Sequence, residues 1–239
     1  MEWQDDGIIL GVKRHGESSA IVSLLTRDHG RHAGLVKGAY GKKLRGTLQP
    51  GNKIHATWRA RLEEHLGSYT VELLTSNTAP LLLDAGKLAA LISACAVIEQ
   101  GFPEREAHPN LYETFSSLTI ALDHQEWAAT YVKWEMSVLT ELGFGLDLSQ
   151  CAATGVVEDL IYVSPKSGRA VSADAGAPYR DKLLNLPGFL LGEGVVETRD
   201  VVDSMRLTGY FLSRHLFAAH DKPMPDARMR LLDWLRKRM

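Results

Sequence analysis

The sequence predicts an α+β protein that begins with a small antiparallel β-barrel, over residues 1–79, and continues as a helical domain over residues 80–239. Three observations lead to this prediction. Five short runs of β-branched and aliphatic residues, separated by turn residues, fill the first 75 positions. After Pro80 the apolar residues recur at helical spacing. A segment rich in Gly, Ser, Asp and Pro, residues 144–194, interrupts the helical half.

The five predicted strands suit a barrel because they are short, closely spaced and amphipathic. The fourth alternates most clearly, with Ile54, Ala56 and Trp58 on one face and basic or polar residues on the other. Trp58 is therefore expected in the core and not as a stacking platform. Five short strands at this spacing are typical of an OB-type barrel, although an SH3-like barrel has nearly the same pattern. The strands are predicted over residues 7–12, 19–26, 31–37, 53–62 and 68–74.

The helical half contains five segments whose apolar stripes indicate a bundle. Asp84 is expected to cap the first, which ends near Gly101. The interrupting segment surrounds one short predicted strand, residues 160–164, and so forms an insert between helices that pack together. The other helices are predicted over residues 110–122, 126–142, 199–219 and 226–238.

Composition and cysteine content are those of a cytoplasmic protein. Hydrophobic residues make up 45% of the chain and charged residues 23%, and no apolar run approaches the ~18 residues of a membrane span. The first six residues are acidic, so a secretory signal is not expected. Two cysteines, Cys95 and Cys151, do not make a disulfide framework. We therefore expect a cytoplasmic protein with no membrane partner.

Positive charge is concentrated in one stretch, although the chain as a whole has a net charge of −2. Between Arg27 and Arg61, nine basic residues stand against the single acid Asp28, a net charge of +8, so the rest of the chain carries −10. A basic stretch in an otherwise acidic protein is expected of a protein that binds a polyanion. A solvated charged face is the alternative on charge alone.

The centre of this stretch, residues 34–46, combines glycines, cations and one aromatic residue. A nucleotide-binding P-loop is excluded, because Val36 stands where its first glycine is needed and Lys43 where Ser or Thr is needed. The composition instead predicts a basic loop whose cations contact phosphates while Tyr40 stacks on a base. A solvated glycine-rich hairpin is the alternative. The predicted nucleic-acid contacts are Arg27, Arg31, Lys37, Tyr40, Lys42, Lys43, Arg45, Arg59 and Arg61.

The sequence does not predict a metal site, a cofactor site or a catalytic centre. A zinc-ribbon template has its four ligand positions at Cys151, Thr154, Ser172 and Ala175, of which only one is a thiol. No histidine lies between positions 124 and 215 to replace the missing ligands. Cys151 also lacks a nearby histidine, so it is expected to be a small buried residue and not a nucleophile.

Short motifs along nearly the whole chain resemble the bacterial RecO family. In the first part they are Gly7-Ile8-Ile9-Leu10, His15-Gly16-Glu17, Ile21-Val22, Leu24-Leu25-Thr26-Arg27-Asp28-His29-Gly30, Lys37-Gly38-Ala39 and Leu48-Gln49-Pro50-Gly51. Around the insert they are Glu141-Leu142-Gly143-Phe144, Leu146-Asp147-Leu148, Cys151 and Tyr162-Val163-Ser164-Pro165-Lys166-Ser167-Gly168. Their order and spacing together make an accidental match improbable.

The resemblance implies an OB-fold domain followed by a helical domain with a zinc-finger-like insert. It also implies a non-catalytic protein that binds single- and double-stranded DNA, anneals complementary strands and helps to load a recombinase. RecR and single-strand-binding protein are the implied partners, and the nucleoid is the implied location. Several relatives carry four cysteines in the insert, whereas this sequence keeps only Cys151, so the insert is expected to be degenerate. An RNA-binding OB protein and a metal-dependent nuclease are the alternatives.

Overall fold

A computed structural model describes the backbone of residues 1–239 and the side chains of all of them except residue 220. The chain forms two compact units. The first contains Met1–Gln125 with Pro225–Arg228, and the second contains Glu126–Met224 with Met229–Met239. Strands dominate the beginning of the chain and helices the remainder. The predicted α+β class is therefore confirmed.

The first unit contains five strands that form a closed barrel in the order β1-β2-β3-β5-β4. Neighbouring strands pair antiparallel, except that β3 and β5 pair parallel at Leu35 and Ser68. β1 is long enough to pair with β4 through its first half and with β2 through its second half. The strands are β1 Glu2–His15, β2 Ser19–Thr26, β3 Gly30–Val36, β4 Lys53–Arg59 and β5 Ser68–Thr75.

Alternating burial along the strands builds the barrel core. In β4, Ile54, Ala56 and Trp58 are buried while the residues between them are partly exposed. The predicted alternation and the core position of Trp58, which is 1% exposed, are confirmed. The apolar core cluster consists of Ile9, Ala20, Val22, Leu24, Val36, Ala39, Leu48, Ile54, Ala56, Trp58, Tyr69 and Val71.

Two helices complete the first unit. The carboxylate of Asp84 accepts hydrogen bonds from the N–H groups of Gly86 at 2.9 Å and Lys87 at 3.1 Å, so the predicted helix cap is confirmed. The first helix contacts β1, and there the Cys95 thiol donates to the carbonyl of Ile9 at 3.7 Å. This compact unit therefore continues past residue 79, and a domain boundary at that residue stays a prediction. The helices are α1 Ala85–Gly101 and α2 Pro109–Ala121.

The second unit is mainly helical, and α3 packs against α5. The fully buried carboxylate of Glu135 on α3 accepts from the hydroxyl groups of Tyr131 at 2.9 Å and Thr208 at 2.5 Å, which links the two helices. The helix predicted over 199–219 is shorter than expected, because a π-helical turn follows it. The elements are α3 Trp127–Glu141, α5 Thr198–Leu212, the π-turn Ser213–Phe217, and α6 Asp226–Arg236, whose first residues belong to the first unit.

Between α3 and α5 lies a small sheet in the order β7-β6-β8. The strand predicted over 160–164 is present as Leu160–Val163. The elements of this segment are β6 Leu160–Val163, β7 Ala170–Ser172, α4 Ala173–Gly176 and β8 Leu184–Asn185. Short 3₁₀ turns cover Ala79–Leu81, Ala177–Lys182, Gly188–Leu191 and Ala218–His220.

A search for helices that could cross a membrane, limited to the described residues, found none of sufficient length and hydrophobicity.

Candidate nucleic-acid interface

The segment that joins β3 to β4, residues 37–52, is held to the barrel by apolar anchors. Ala39 and Leu48 are buried in the barrel core, and Leu44 packs against it. The N–H of Ala39 donates to the carbonyl of Ser18, in the turn between β1 and β2, at 2.9 Å. Two segments distant in sequence therefore meet beside this loop.

Asn52 fixes the far end of the same loop. Its side-chain amide donates to the carbonyls of Gly46 at 3.0 Å and Thr47 at 3.1 Å, and its oxygen accepts from the N–H of Thr78 at 3.2 Å. Asn52 is fully buried, so these bonds satisfy a polar group that burial would otherwise destabilise. The loop is consequently an ordered platform for the side chains that point away from the barrel.

The cations of this loop are exposed and lack acidic partners. Among the described side chains, no carboxylate lies within ion-pair distance of any of them, which agrees with the absence of acidic residues between Asp28 and Glu63 in the sequence. Their charge is therefore available to an external anion. These cations are Lys37, Lys42, Lys43 and Arg45.

Tyr40 stands among these cations with 47% of its surface exposed. The guanidinium carbon of Arg14, from the end of β1, lies 5.6 Å from the centre of the Tyr40 ring, a cation–π distance. Arg14 Nε also donates to the carbonyl of Gly16 at 3.3 Å. Arg14 was missed by the sequence analysis, because only the Ala39–Ser18 contact brings the β1–β2 turn to the loop. We call Arg14, Lys37, Tyr40, Lys42, Lys43 and Arg45 the loop surface.

Three other predicted contacts, Arg27, Arg31 and Arg59, form ion pairs within the first unit. Arg27 pairs with Glu113 at 3.5 Å, and Arg59 pairs with Glu2 at 2.8 Å. We call these three residues the paired arginines.

Arg31 is the most enclosed of the paired arginines, with a side-chain exposure of 16%. Its guanidinium donates to the carbonyl of Phe102 at 2.9 Å and to the carboxylate of Glu104 at 3.0 Å. The side chain thus holds the segment after α1 against the start of β3. A phosphate could reach Arg31 only by displacing these partners.

Arg61 lies in the loop between β4 and β5, residues 60–67, and not on the strand as predicted, because β4 ends at Arg59. It is exposed, and within the described part of the chain it has no ion-pair partner. The end of this loop contacts β3, where Gly67 accepts a hydrogen bond from the N–H of Leu35 at 3.1 Å. Leu35 precedes Lys37 by two residues, so the β4–β5 loop ends next to the start of the basic loop.

In the insert, positions of the zinc-ribbon template meet around Cys151. Its buried sulfur accepts from the N–H and the hydroxyl of Ser172 at 3.3 and 3.4 Å, and from the side chain of Thr154. Burial raises the pKa of this thiol, but the hydrogen bonds outweigh burial and lower the pKa to about 6. The expected burial is confirmed, whereas the surroundings of the sulfur are more polar than expected.

Clusters of three or more His, Cys, Asp or Glu side chains able to hold a metal ion were sought among the described residues, and none was found there. Cys95 and Cys151 are both buried free thiols. The loop surface thus offers exposed cations to which an anion can bind electrostatically.

Comparison with known proteins covers nearly the whole chain. The model of the Recombination protein O N terminal matches residues 1–77, and that of the Recombination protein O C terminal matches residues 82–223. The chain is 51% identical to the DNA repair protein RecO of Rhodospirillum centenum, over 99% of this chain and 96% of that protein. It is 47% identical to the DNA repair protein RecO of a Ruegeria species, over 100% of both chains. The chain belongs to the RecO family.

Proposed function

We propose that this protein is a DNA-binding recombination mediator that anneals complementary single strands and helps to load a recombinase on single-stranded DNA. Its role is in recombinational DNA repair, as the names of its relatives state for them. The observation that carries the binding proposal is the loop surface, which presents five exposed cations without acidic partners among the described side chains, and an exposed aromatic ring. Arg61 extends this surface along the β4–β5 loop.

The loop surface supports binding by charge and stacking. Phosphates replace condensed counterions when lysine and arginine side chains neutralise them, and this release makes binding strong at low salt. Tyr40 offers a ring on which a base can stack irrespective of sequence. Two strands held on cationic surfaces repel each other less, so base pairing drives annealing without nucleotide hydrolysis. The protein therefore acts without catalytic residues.

The barrel topology supports an OB-type assignment over the SH3-like alternative. A five-stranded barrel in which β1 pairs with both β2 and β4, and β3 closes onto β5, matches a Greek-key barrel of this type. In such barrels the β1–β2 and β4–β5 loops bind oligonucleotides. Arg61 lies in the second of these loops, and Arg14 lies at the end of β1, beside the first. We further propose that the insert is a degenerate zinc-finger-like segment in which hydrogen bonds around Cys151 stand in for a metal.

RecR and single-strand-binding protein, which the resemblance implies as partners, and association with the nucleoid belong to this proposal. Pull-down with purified RecR and with single-strand-binding protein tests the two partners directly. The triple substitution Lys42→Ala, Lys43→Ala and Arg45→Ala in the same pull-down tests whether the loop surface takes part in either interaction.

The central experiment is an annealing assay with fluorescently labelled complementary oligonucleotides in the presence of EDTA and without ATP. We expect the wild-type protein to accelerate pairing and moderate salt to suppress the effect. The same triple variant is expected to lose most of the acceleration. Equal annealing by both proteins would remove the loop surface from the mechanism.

Two outcomes would favour other functions. Cleavage of the labelled strand on addition of magnesium or manganese would indicate a nuclease. Stronger binding to RNA than to DNA of the same sequence would indicate recognition of the 2′-hydroxyl, as in an RNA-binding OB protein. An absolute ATP requirement would contradict the non-catalytic mechanism.

A further inference from the structure

The first unit contains a cavity of about 460 Å³ beside the start of β1, separate from the loop surface. Its volume falls in the range of roughly 300–1,000 Å³ that is usual for sites of small molecules. Four of its nine lining residues carry aromatic rings; Trp3 and His29 are partly exposed, whereas His32 and Trp58 are buried. The Trp3 ring stacks on His29 with ring centres 4.0 Å apart and on Trp58 at 5.7 Å, and His32 stands edge-on to both tryptophans at 5.0 and 5.1 Å.

The wall formed by the β4–β5 loop is fixed by hydrogen bonds. The Arg105 guanidinium donates to the carbonyls of three successive residues: Glu63 at 2.6 Å, Glu64 at 3.2 Å and His65 at 3.0 Å. The indole N–H of Trp58 donates to the carbonyl of Leu66 at 3.0 Å. A loop held at four carbonyls does not have to become ordered when a ligand binds, and this lowers the cost of binding.

Gly67 allows the loop to approach the tryptophan. A Cβ atom at this position would lie 2.3 Å from Trp58 Nε1, which no real side chain tolerates, and the φ of +63° also favours glycine. Gly67 and Arg105 thus hold the β4–β5 loop, whose residue Glu63 lines the cavity.

Hydrogen-bond acceptors surround the aromatic walls. The carboxylates of Asp28 and Glu63 line the cavity, and each lacks a hydrogen-bond or ion-pair partner among the described side chains. Glu2, which also lines the cavity, is already bound to Arg59. Burial, together with the charges of Arg105 and His29, lowers the pKa of His32 to about 4, so its imidazole is neutral at neutral pH. The two cations in the lining, the Met1 ammonium and Arg105, already donate to backbone carbonyls. The acceptors that remain therefore disfavour phosphate and favour a flat group that donates hydrogen bonds.

We infer that this cavity binds one unpaired nucleobase that carries an exocyclic amino group, namely adenine, cytosine or guanine. Cytosine presents its N4 amino group and adenine its N6 amino group as donors that carboxylates accept, whereas thymine presents no amino group. Enzymes that read an extruded base likewise combine aromatic walls with hydrogen bonds to the base edge. The inference rests on the proposed function only for the source of the base, a bound single strand.

The position of the cavity suits a base whose strand lies along the β4–β5 loop. Arg59 at the end of β4 is bonded to the cavity residue Glu2, and Arg61 precedes the cavity residue Glu63 by two positions. A strand whose phosphate contacts Arg61 therefore has a base within one nucleotide of the cavity mouth. Arg61 would then contact the DNA backbone, and Glu63 of the same loop would contact the base.

The test is a titration of the full-length protein with the four deoxynucleosides, followed by tryptophan fluorescence excited beyond the absorption of the nucleosides. Nucleosides lack phosphate, so the cations of the loop surface do not attract them, and failure of the DNA-binding proposal leaves this result unaffected. We expect saturable quenching by deoxyadenosine, deoxycytidine and deoxyguanosine, with an affinity about tenfold higher than for thymidine, because thymidine has no amino group and offers the carboxylates only its N3–H. Trp3→Phe should reduce the quenching, since Trp3 lines the cavity.

Matched variants identify the carboxylate. Glu63→Ala is expected to bring the affinities for the four nucleosides to within about threefold of one another. Glu64 is an exposed neighbour outside the cavity lining, so Glu64→Ala is expected to leave the preference unchanged. Circular dichroism checks that both variants fold. Equal binding of thymidine by the wild type, absence of binding by any nucleoside, or binding of argininamide in place of nucleosides would each overturn the inference. The last result would assign the cavity to a cationic side chain of a protein partner.

Discussion

Apart from Arg14, the loop surface lies in the same basic stretch and the same compact unit as the paired arginines, yet the charges of the two groups are used differently. On the loop, Lys42 and Lys43 are exposed, and among the described carboxylates none lies within ion-pair distance. On the barrel, Arg31 and Arg59 are bonded to Glu104 and Glu2. The rest of the chain carries a net charge of −10. The difference arises because the carboxylates of this remainder reach the strands and not the loop.

A net charge summed along the sequence therefore overstates the surface that is available to bind DNA. The stretch from Arg27 to Arg61 contains nine cations, but four of them, the paired arginines and Lys53, already lie within ion-pair distance of carboxylates of their own unit. An arginine that has an internal carboxylate adds little to the potential felt by a phosphate. The effective surface is therefore smaller than the sequence suggests, and it gains Arg14 from the turn after β1.

The largest effect is expected from the loop surface itself. Lys42→Ala, Lys43→Ala and Arg45→Ala together remove three exposed charges, each contributing about 0.7 to the log–log salt slope for single-stranded DNA. The slope should fall by about 2, and affinity at low salt should fall on the order of a hundredfold. Fluorescence anisotropy titrations at several salt concentrations measure both quantities. An unchanged slope in a folded variant would move the DNA site elsewhere.

If the DNA site lies elsewhere, the exposed end of α6 is the next surface to examine. Residues 228–238 carry five cations, Arg228, Arg230, Arg236, Lys237 and Arg238, but Arg228 is only 2% exposed and belongs to the first compact unit. Of the others, Arg236 is bonded to Asp233 and Arg238 packs 3.6 Å over the ring of Trp234. Arg230 and Lys237 are exposed and have no ion-pair partner among the described side chains, so this surface is smaller than the sequence suggests.

Tyr40 separates stacking from charge on the loop surface. Tyr40→Leu is expected to weaken single-stranded DNA binding by roughly 1–3 kcal/mol, the usual loss for one aromatic–base stack. The salt slope should not change, because no charge is removed. Tyr40→Phe keeps the ring and should bind as the wild type does. A loss of slope with Tyr40→Leu would show instead that the ring only positions Arg14, which it contacts.

Arg31→Met tests the paired arginines through stability. The substitution keeps the apolar stem of a side chain that is 16% exposed but leaves the Phe102 carbonyl and Glu104 without their donor. We expect a loss of about 1–3 kcal/mol in the free energy of unfolding, measured by urea denaturation. The salt slope of DNA binding should be unchanged. A stable variant with a reduced slope would return Arg31 to the contact surface.

Much of the fold could be predicted from the sequence, because its signals are local. The alternation in β4 and the cap at Asp84 both depend on a few neighbouring residues. The extension of β1 back to Glu2 could not be predicted, since four of residues 2–6 are polar and this segment pairs with β4 only in the folded barrel. The change from α-helix to a π-helical turn after Leu212 was also missed, because no Pro or Gly marks it.

The candidate site was less predictable, because the ion-pair partner of each arginine depends on the tertiary structure. The loop cations follow from composition, but nothing in the sequence shows that Arg31 bonds to Glu104, 73 residues away. Arg105 carries no motif, although it holds three carbonyls of the β4–β5 loop. The positive φ of 64° at Arg105 could not be predicted from the sequence either, because arginine rarely adopts this conformation.

The smallest effect is expected for the two exposed ion pairs, Arg27–Glu113 and Arg59–Glu2. Arg27 and Glu113 are 59% and 56% exposed, and Arg59 and Glu2 are 65% and 47% exposed, so solvent screens both pairs. Arg27→Ala with Arg59→Ala should lower the salt slope by less than the ~0.7 of one phosphate contact, because each arginine is already neutralised. The converse variant, Glu2→Gln with Glu113→Gln, frees both guanidinium groups and should raise the slope and the affinity for single-stranded DNA. If the arginine variant instead lost as much slope as the triple loop variant, the distinction between paired and unpaired cations would be wrong.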